Sequence, residues 1–167
     1  RAWRRGPRAP AVHVLGVQGN LAITYEKAGR REEALDMYRC VYSGRLKLLG
    51  EEHEDTLGAA SNYACTLTDL KRFKESEIVL RKVMPVARRL FGNSHNLVLR
   101  MRWNYAETLY LNPGAKLDDL SEAVTTLEDA ERIARRVLGG AHPVTRGIEH
   151  HLRNSRAVLR AREAQSS

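Results

Sequence analysis

The sequence has little cysteine and no long apolar run, and each absence excludes a class of protein. Its two cysteines, Cys40 and Cys65, cannot build a disulfide framework or a zinc site by themselves, so we expect a reducing, cytoplasmic location. No apolar stretch approaches the roughly 18 residues that a membrane-spanning helix needs, so we expect no membrane insertion. The 43% share of hydrophobic residues argues against disorder.

Motifs that carry catalysis are also missing. The sequence has no phosphate-binding glycine-rich loop, no nucleophile elbow and no HExxH pair. Cys65 could in principle form a nucleophilic pair with a histidine, but only composition supports this, and unpaired cysteines usually serve as small core residues. We therefore expect no enzymatic activity and no cofactor.

The net charge of +8 lies at the two ends of the chain. Residues 1–10 hold four arginines and no acid, and residues 132–167 hold eight arginines against two glutamates. The stretch 11–131 carries 16 bases against 18 acids, a net charge of −2. A strongly basic chain suggests a nucleic-acid partner, but this distribution restricts that possibility to the ends.

A 42-residue repeat organises the chain between the ends. The triplet Asn-x-Ala occurs at Asn20, Asn62 and Asn104, and Gly-x-x-His ends at His53, His95 and His142. The last spacing is 47, because five extra residues lie around 112–114. The three linker histidines are one repeat apart, and His150 and His151 point about 100° apart on a helix. We therefore expect structural roles rather than metal binding.

Apolar residues recur at helical spacing within each unit, and no alternating β-type run is present. We predict seven helices, over residues 12–28, 31–49, 55–70, 73–91, 96–111, 117–138 and 143–163. Helix pairs at a fixed period bury their apolar faces by stacking, which predicts an all-α, right-handed solenoid. We expect a flexible basic leader over 1–11, repeats over 12–53, 54–95 and 96–142, a capping helix over 143–163 and a tail over 164–167.

The pattern Asn-Leu-Ala-x-x-Tyr-x-x-x-Gly-Arg-x-x-x-Ala, from Asn20 to Ala34, resembles a tetratricopeptide repeat. The 42-residue length and the Leu-Gly-x-x-His linker are similar to the longer subtype of kinesin light chains. Ser76 and His151 depart from the pattern, as does the insertion in the third unit. The resemblance implies a non-enzymatic scaffold whose first helices line a concave groove that binds a partner peptide.

The arc of each first helix opposite its core face supplies the candidate groove residues. In the first two units these arcs are rich in small residues, which would let a ligand backbone approach closely. The third arc offers a guanidinium and two large aromatics, the residue types that dominate binding hot spots, and we expect it to be the energetic centre. The predicted peptide-binding residues are Asn20, Ile23, Lys27, Asn62, Cys65, Asp69, Arg100, Trp103, Asn104, Glu107 and Tyr110.

Two of these assignments have a structural alternative. Trp103 and Tyr110 are either groove residues or core residues packed against the inserted loop, and no facing aromatic on a second helix pairs with them. The repeated asparagines Asn20, Asn62 and Asn104 either donate amide bonds to a bound peptide, as the resemblance implies, or tie neighbouring repeats together.

The last helix carries a basic stripe formed by Arg146, Arg153 and Arg160, which recur every seven residues. The stripe is either the solvated face of an amphipathic capping helix or a phosphate-binding surface. RNA binding stays an alternative function, although no aromatic stacking platform or known motif accompanies the arginines. A third alternative is an architectural subunit that contacts its neighbours through its convex side and ends.

Overall fold

The computed structural model describes residues 8–166, which form seven helices and no strand. They are α1 (Arg8–Lys27), α2 (Arg31–Leu49), α3 (Glu54–Asp69), α4 (Phe73–Phe91), α5 (Asn96–Leu111), α6 (Leu117–Leu138) and α7 (Pro143–Ser166). The predicted all-α repeat architecture is confirmed, and the interior boundaries agree within a residue or so. At the ends, α1 begins at residue 8 and α7 continues to 166, so residues 8–11 and 164–166 are helical. The rest of the predicted leader, 1–7, lies outside the described residues.

The helices form two layers. Each helix packs on the next one along the chain, and the first helices of the repeats also pack directly on one another, α3 on α5 and α5 on α7. The second helices α2, α4 and α6 make no comparable contact among themselves within the described residues. The first helices therefore form the more closely spaced, inner layer of a curved stack, and their outward side is its concave surface.

Small buried residues set the distance between the layers. The alanines of the repeated Asn-x-Ala triplet, Ala22, Ala64 and Ala106, are fully buried, and so are Ala34 and Ala123 on the second helices. Their size lets the helix axes approach, and larger residues such as Leu67 and Leu80 fill the space around them. One unit departs from this pattern.

In the second unit, Ser76 replaces the alanine of the second helix and is fully buried. Its hydroxyl donates to the Ala64 carbonyl at 2.8 Å and lies 2.9 Å from the Thr68 hydroxyl and 3.0 Å from the Thr108 hydroxyl. Thr68 and Thr108 are themselves 2.7 Å apart. The substitution thus joins two repeats through a closed hydroxyl cluster, and its polar atoms are paired.

The linker histidines begin the first helices of units two to four. The ring Nδ1 atoms of His53, His95 and His142 accept the backbone amides two residues later, at 3.1, 3.3 and 3.2 Å. These bonds satisfy amides that have no partner within the helix. The predicted structural role of the three histidines is confirmed.

Each second helix ends at a glycine in the left-handed region, Gly50, Gly92 and Gly139, with φ between 78° and 88°. The turn between the helices of the first repeat uses Gly29 in the same way, with φ 77°. One repeat later the equivalent residue is Lys71, which holds φ 62° despite its Cβ. This conformation costs a non-glycine residue about 1–2 kcal/mol.

Candidate peptide-binding surface

The concave surface is built by α1, α3 and α5, which bring the predicted groove residues to one side of the stack. Asn20, Ile23, Lys27, Asp69 and Arg100 are exposed, Asn62, Cys65, Trp103 and Glu107 are partly buried, and Asn104 and Tyr110 are buried. The exposed and partly buried members remain predicted contacts for a peptide. The two buried members, Asn104 and Tyr110, bond to other residues of the stack, as described below.

Side chains from three repeats converge around Cys65. Asp69 on α3, Glu107 on α5 and Glu26 on α1 all lie close enough to raise the pKa of the Cys65 thiol, and Arg100 on α5 lowers it. Burial is the largest cause and raises this pKa to about 12. The cysteine is therefore a neutral thiol, not a nucleophile. Three carboxyl groups and one guanidinium thus lie near enough to influence the pKa of this thiol.

Glu26 connects the first two repeats at this surface. Its carboxylate accepts a hydrogen bond from the Tyr38 hydroxyl at 3.2 Å and one from the Thr66 hydroxyl at 3.4 Å. Tyr38 lies on α2 and Thr66 on α3, so one carboxylate links three helices. The bonding of Glu26 to Tyr38 and Thr66 depends on how the three helices pack, which the sequence pattern does not specify.

Glu107 is the most perturbed acid of the concave surface. Burial, followed by the nearby charge of Asp69, raises the pKa of its carboxyl to about 7. Burial also raises the pKa of Asp69, and Arg31 opposes this. A buried carboxylate without a strong cationic partner is costly, so a cationic group arriving at Glu107 would be favoured.

A cleft of about 350 Å³ opens between the N-terminal halves of α3 and α5. Asn62 and Arg100 line it, together with Arg45, whose guanidinium donates to the Asp55 carbonyl at 3.0 Å. Gly58 lies in the wall, and a Cβ built there meets no atom within 4 Å. The cleft therefore combines amide and guanidinium donors with space for a peptide backbone.

Trp103 and Tyr110 both pack against α7. Tyr110 belongs to the buried core, whereas Trp103 is only partly buried and stays a predicted peptide contact. The Tyr110 ring is 5% exposed, and its hydroxyl lies 2.7 Å from Nδ1 of His151. The Trp103 ring contacts the backbone of Gly147 and lies 5.2 Å from the His151 ring, centroid to centroid. Glycine at 147, where a side chain would collide with the indole, was the available sequence signal.

His151 occupies the repeat position that asparagine holds in the first three units, and it is neutral. Burial, with a smaller contribution from His150, lowers its pKa to about 4. Nδ1 of His151 lies 2.7 Å from the Tyr110 hydroxyl and 3.8 Å from Oε1 of Glu107.

The repeated asparagines do not share one role. The Asn104 amide donates to the Ser61 hydroxyl at 3.2 Å, and both residues are buried. Asn104 thus ties the third repeat to the second, which is the alternative role that the sequence left open. Asn20 is exposed and Asn62 is partly buried, so these two stay candidates for binding a peptide backbone.

The arginine stripe forms the outer side of α7. Arg146, Arg153 and Arg160 are exposed, whereas Ile148 and Leu152 on the other side of the helix are buried. In the preceding repeats, the positions of Arg146 and Arg153 are held by buried apolar residues, namely Leu57, Ala64, Leu99 and Ala106. The helix α7 is thus amphipathic, with one charged side and one buried apolar side.

The described residues include no group of three or more His, Cys, Asp or Glu side chains that could hold a metal ion. Between residues 8 and 166, no helix is long and apolar enough to cross a membrane. The surfaces that these residues offer for binding are the faces of the stacked helix pairs.

The two-layered stack with a concave inner surface defines a helical repeat protein. Residues 13–86 match the family model of the tetratricopeptide repeat. The match spans most of the first two repeats, and the solved structures described below share the fold. No curated protein sequence matches it significantly. Repeats of this family generally serve in protein interaction and are non-enzymatic.

Solved structures share the fold across nearly the whole chain. A kinesin-light-chain-like protein of Podosopora anserina with nearly identical TPR-like repeats superposes with a TM-score of 0.77 at 22% identity, covering 88% of this chain and 67% of that one. A single-residue variant of that protein gives 0.71 at 24% identity, covering 91% and 70%. BtubC (BKLC) from P. vanneervenii gives 0.61 at 15% identity, covering 96% and 68%.

Proposed function

We propose that this protein is a non-enzymatic, cytoplasmic interaction module that binds an extended peptide segment of a partner protein on its concave surface. The observation that carries the proposal is the convergence of side chains from three repeats around Cys65. A single peptide lying along this surface would contact all three repeats, whose positions the fold fixes in advance.

The charges of the surface specify the peptide. A lysine or arginine side chain placed near Asp69 and Glu107 would gain an ionic partner and would relieve the cost of the buried carboxylate. The cleft at Asn62 and Arg100 supplies donors for peptide carbonyl groups. We therefore expect a peptide with at least one basic residue, bound largely through its backbone elsewhere.

A displayed random-peptide library provides the probe. Selection on the wild-type protein should enrich sequences that contain lysine or arginine, and Asp69→Asn with Glu107→Gln should weaken binding of the enriched peptides at least about tenfold. The matched control is Asp36→Asn with Asp118→Asn, which removes two exposed carboxylates from the second helices and should leave affinity unchanged. Enrichment of acidic peptides, or equal loss in both double variants, would contradict the proposal.

A further inference from the structure

A second cleft, of about 550 Å³, opens at the edge of the stack, between the helix connections of the second and third repeats. One wall of this edge cleft is the turn into α4, residues 71–75, and the other is the loop 112–114. Phe73 and Pro113 give the walls apolar surface. Because α7 packs on both α5 and α6, each wall has its neighbouring repeats in place.

The third repeat builds its wall with a longer connection. Five residues, 112–116, join its helices, whereas three residues join them in each of the first two repeats. The Asn112 side chain accepts the Gly114 amide at 3.0 Å, and Ala115 is buried. From α7, the Arg162 guanidinium donates to the Ala115 carbonyl at 3.1 Å. The wall is thus held in place, so a ligand can bind without first ordering it.

The edge cleft carries positive charge that the described residues leave unpaired. Lys71 and Lys74 are exposed, and neither forms an ion pair within residues 8–166. Among the described residues that line the edge cleft, Glu75 is the one acid, and it already accepts hydrogen bonds from Arg72 at 2.7 and 2.8 Å. An acidic group that enters therefore meets two ammonium groups and no unpaired carboxylate.

Lys71 stands in the edge cleft at a conformational cost. It holds φ 62°, in the left-handed region, where the first repeat has Gly29 at φ 77°. Non-glycine residues in such strained conformations cluster at ligand-binding sites. Glycine would make this turn without strain, but it would leave the edge cleft without the ammonium group.

The edge cleft adjoins the acids of the concave surface. Asp69 precedes Lys71 by two residues, a distance of at most about 7 Å along the chain. Glu107 precedes Asn112 by five residues, about 7.5 Å along the axis of α5. An extended peptide advances about 3.3 Å per residue, so two or three residues span these distances. A peptide whose basic side chain is bound at Asp69 and Glu107 therefore reaches the edge cleft two or three positions away.

We propose that the edge cleft binds an acidic side chain of the same peptide, two or three residues from the basic residue that the concave surface holds. This inference rests on the proposed function and adds a second charge, of opposite sign and at a set distance, to the recognised sequence. The acidic side chain pairs with Lys71 and Lys74, and its neighbours pack on Phe73. Two charges of opposite sign fix the register of the peptide and discriminate against peptides that carry only one.

Selection from a displayed peptide library with one fixed lysine and random flanking residues tests the inference. The wild type should enrich Asp or Glu two or three positions from the lysine. Lys71→Gly with Lys74→Gln should lose this preference and bind an enriched peptide about fivefold more weakly, even though Lys71→Gly relieves the strained turn. The matched control is Lys47→Gln with Lys82→Gln, which removes two exposed lysines from the second helices and should keep both preference and affinity.

A double-mutant cycle locates the contact. Exchanging the acidic residue of the enriched peptide for glutamine should weaken binding to the wild type but not to the Lys71→Gly, Lys74→Gln variant. A wild type without a preference for acidic residues, or an exchange that weakens binding to both proteins equally, would overturn the inference and leave the proposed function standing. Peptides that bind Asp69→Asn with Glu107→Gln as tightly as the wild type would overturn both.

Discussion

Gly147→Ala provides a direct test of where Trp103 lies. A Cβ built at position 147 would be 2.3 Å from Cη2, 2.6 Å from Cζ3 and 2.9 Å from Cζ2 of the Trp103 indole. These are atoms of a rigid ring that also packs on His151, so the collision cannot be relieved by rotating a flexible chain end.

The size of the effect follows from two opposing contributions. Overpacking of this kind costs about 1–3 kcal/mol, and exchanging glycine for alanine inside a helix returns about 0.8–1 kcal/mol. The net loss of stability is the overpacking cost minus this gain. Because the contact distances are so short, we expect a net loss near the upper end of its range, about 1–2 kcal/mol. For a chain of this size that corresponds to a fall in Tm of about 2–8 °C.

Gly58→Ala is the matched control. Gly58 is also a helix-interior glycine, but a Cβ there meets nothing within 4 Å, so this variant should gain about 0.5–1 kcal/mol. Denaturant unfolding followed by circular dichroism measures both changes. In a double-mutant cycle, Trp103→Phe removes the colliding ring atoms and should abolish most of the cost of Gly147→Ala. A Gly147→Ala protein as stabilised as the Gly58→Ala protein would refute the packing of Trp103 on α7.

Three further changes test single features of the fold. Ser76→Ala should cost no more than about 1 kcal/mol in denaturant unfolding, because Thr68 and Thr108 keep acceptors at the carbonyls of Ala64 and Asn104; a larger loss would contradict the bonding described. Lys71→Gly should raise the unfolding free energy by about 0.5–1 kcal/mol by removing left-handed strain, and an unchanged Tm would argue against that strain. Glu107 has a pKa of about 7 when folded against 4.5 for the ordinary group, so the folded state holds its proton more tightly and stability falls as pH rises between these values. Tm measured across this range should therefore fall less in Glu107→Gln than in the wild type, and parallel curves would contradict the assignment.

The repeat architecture was predictable because the same residue types recur at the helix contacts and helix caps of each repeat. Positions such as Ala22 and Ala64 need a small residue wherever two helices approach, and His53 and His95 cap the same helix end in successive units. Such constraints recur every 42 residues and are visible in one sequence. The helix boundaries follow from them to within a residue or so in the interior of the chain.

The orientation of the third unit's aromatics was not predictable in the same way. Trp103 and Tyr110 turn towards α7, where Gly147 and His151 depart from the residues of earlier repeats. Because Gly147 and His151 differ from the equivalent residues of the other repeats, the repeat pattern does not indicate which side chains they contact.

The total charge describes the ends of this protein and misrepresents its concave surface. Arg146 and Arg153 of α7 are exposed at positions that hold buried apolar residues in the preceding units. The concave surface instead collects Glu26, Asp69 and Glu107 around one thiol. An acidic ligand would meet those carboxylates there, whereas a basic peptide would relieve the most costly of them. A chain with a net charge of +8 can thus collect acidic side chains on its concave surface.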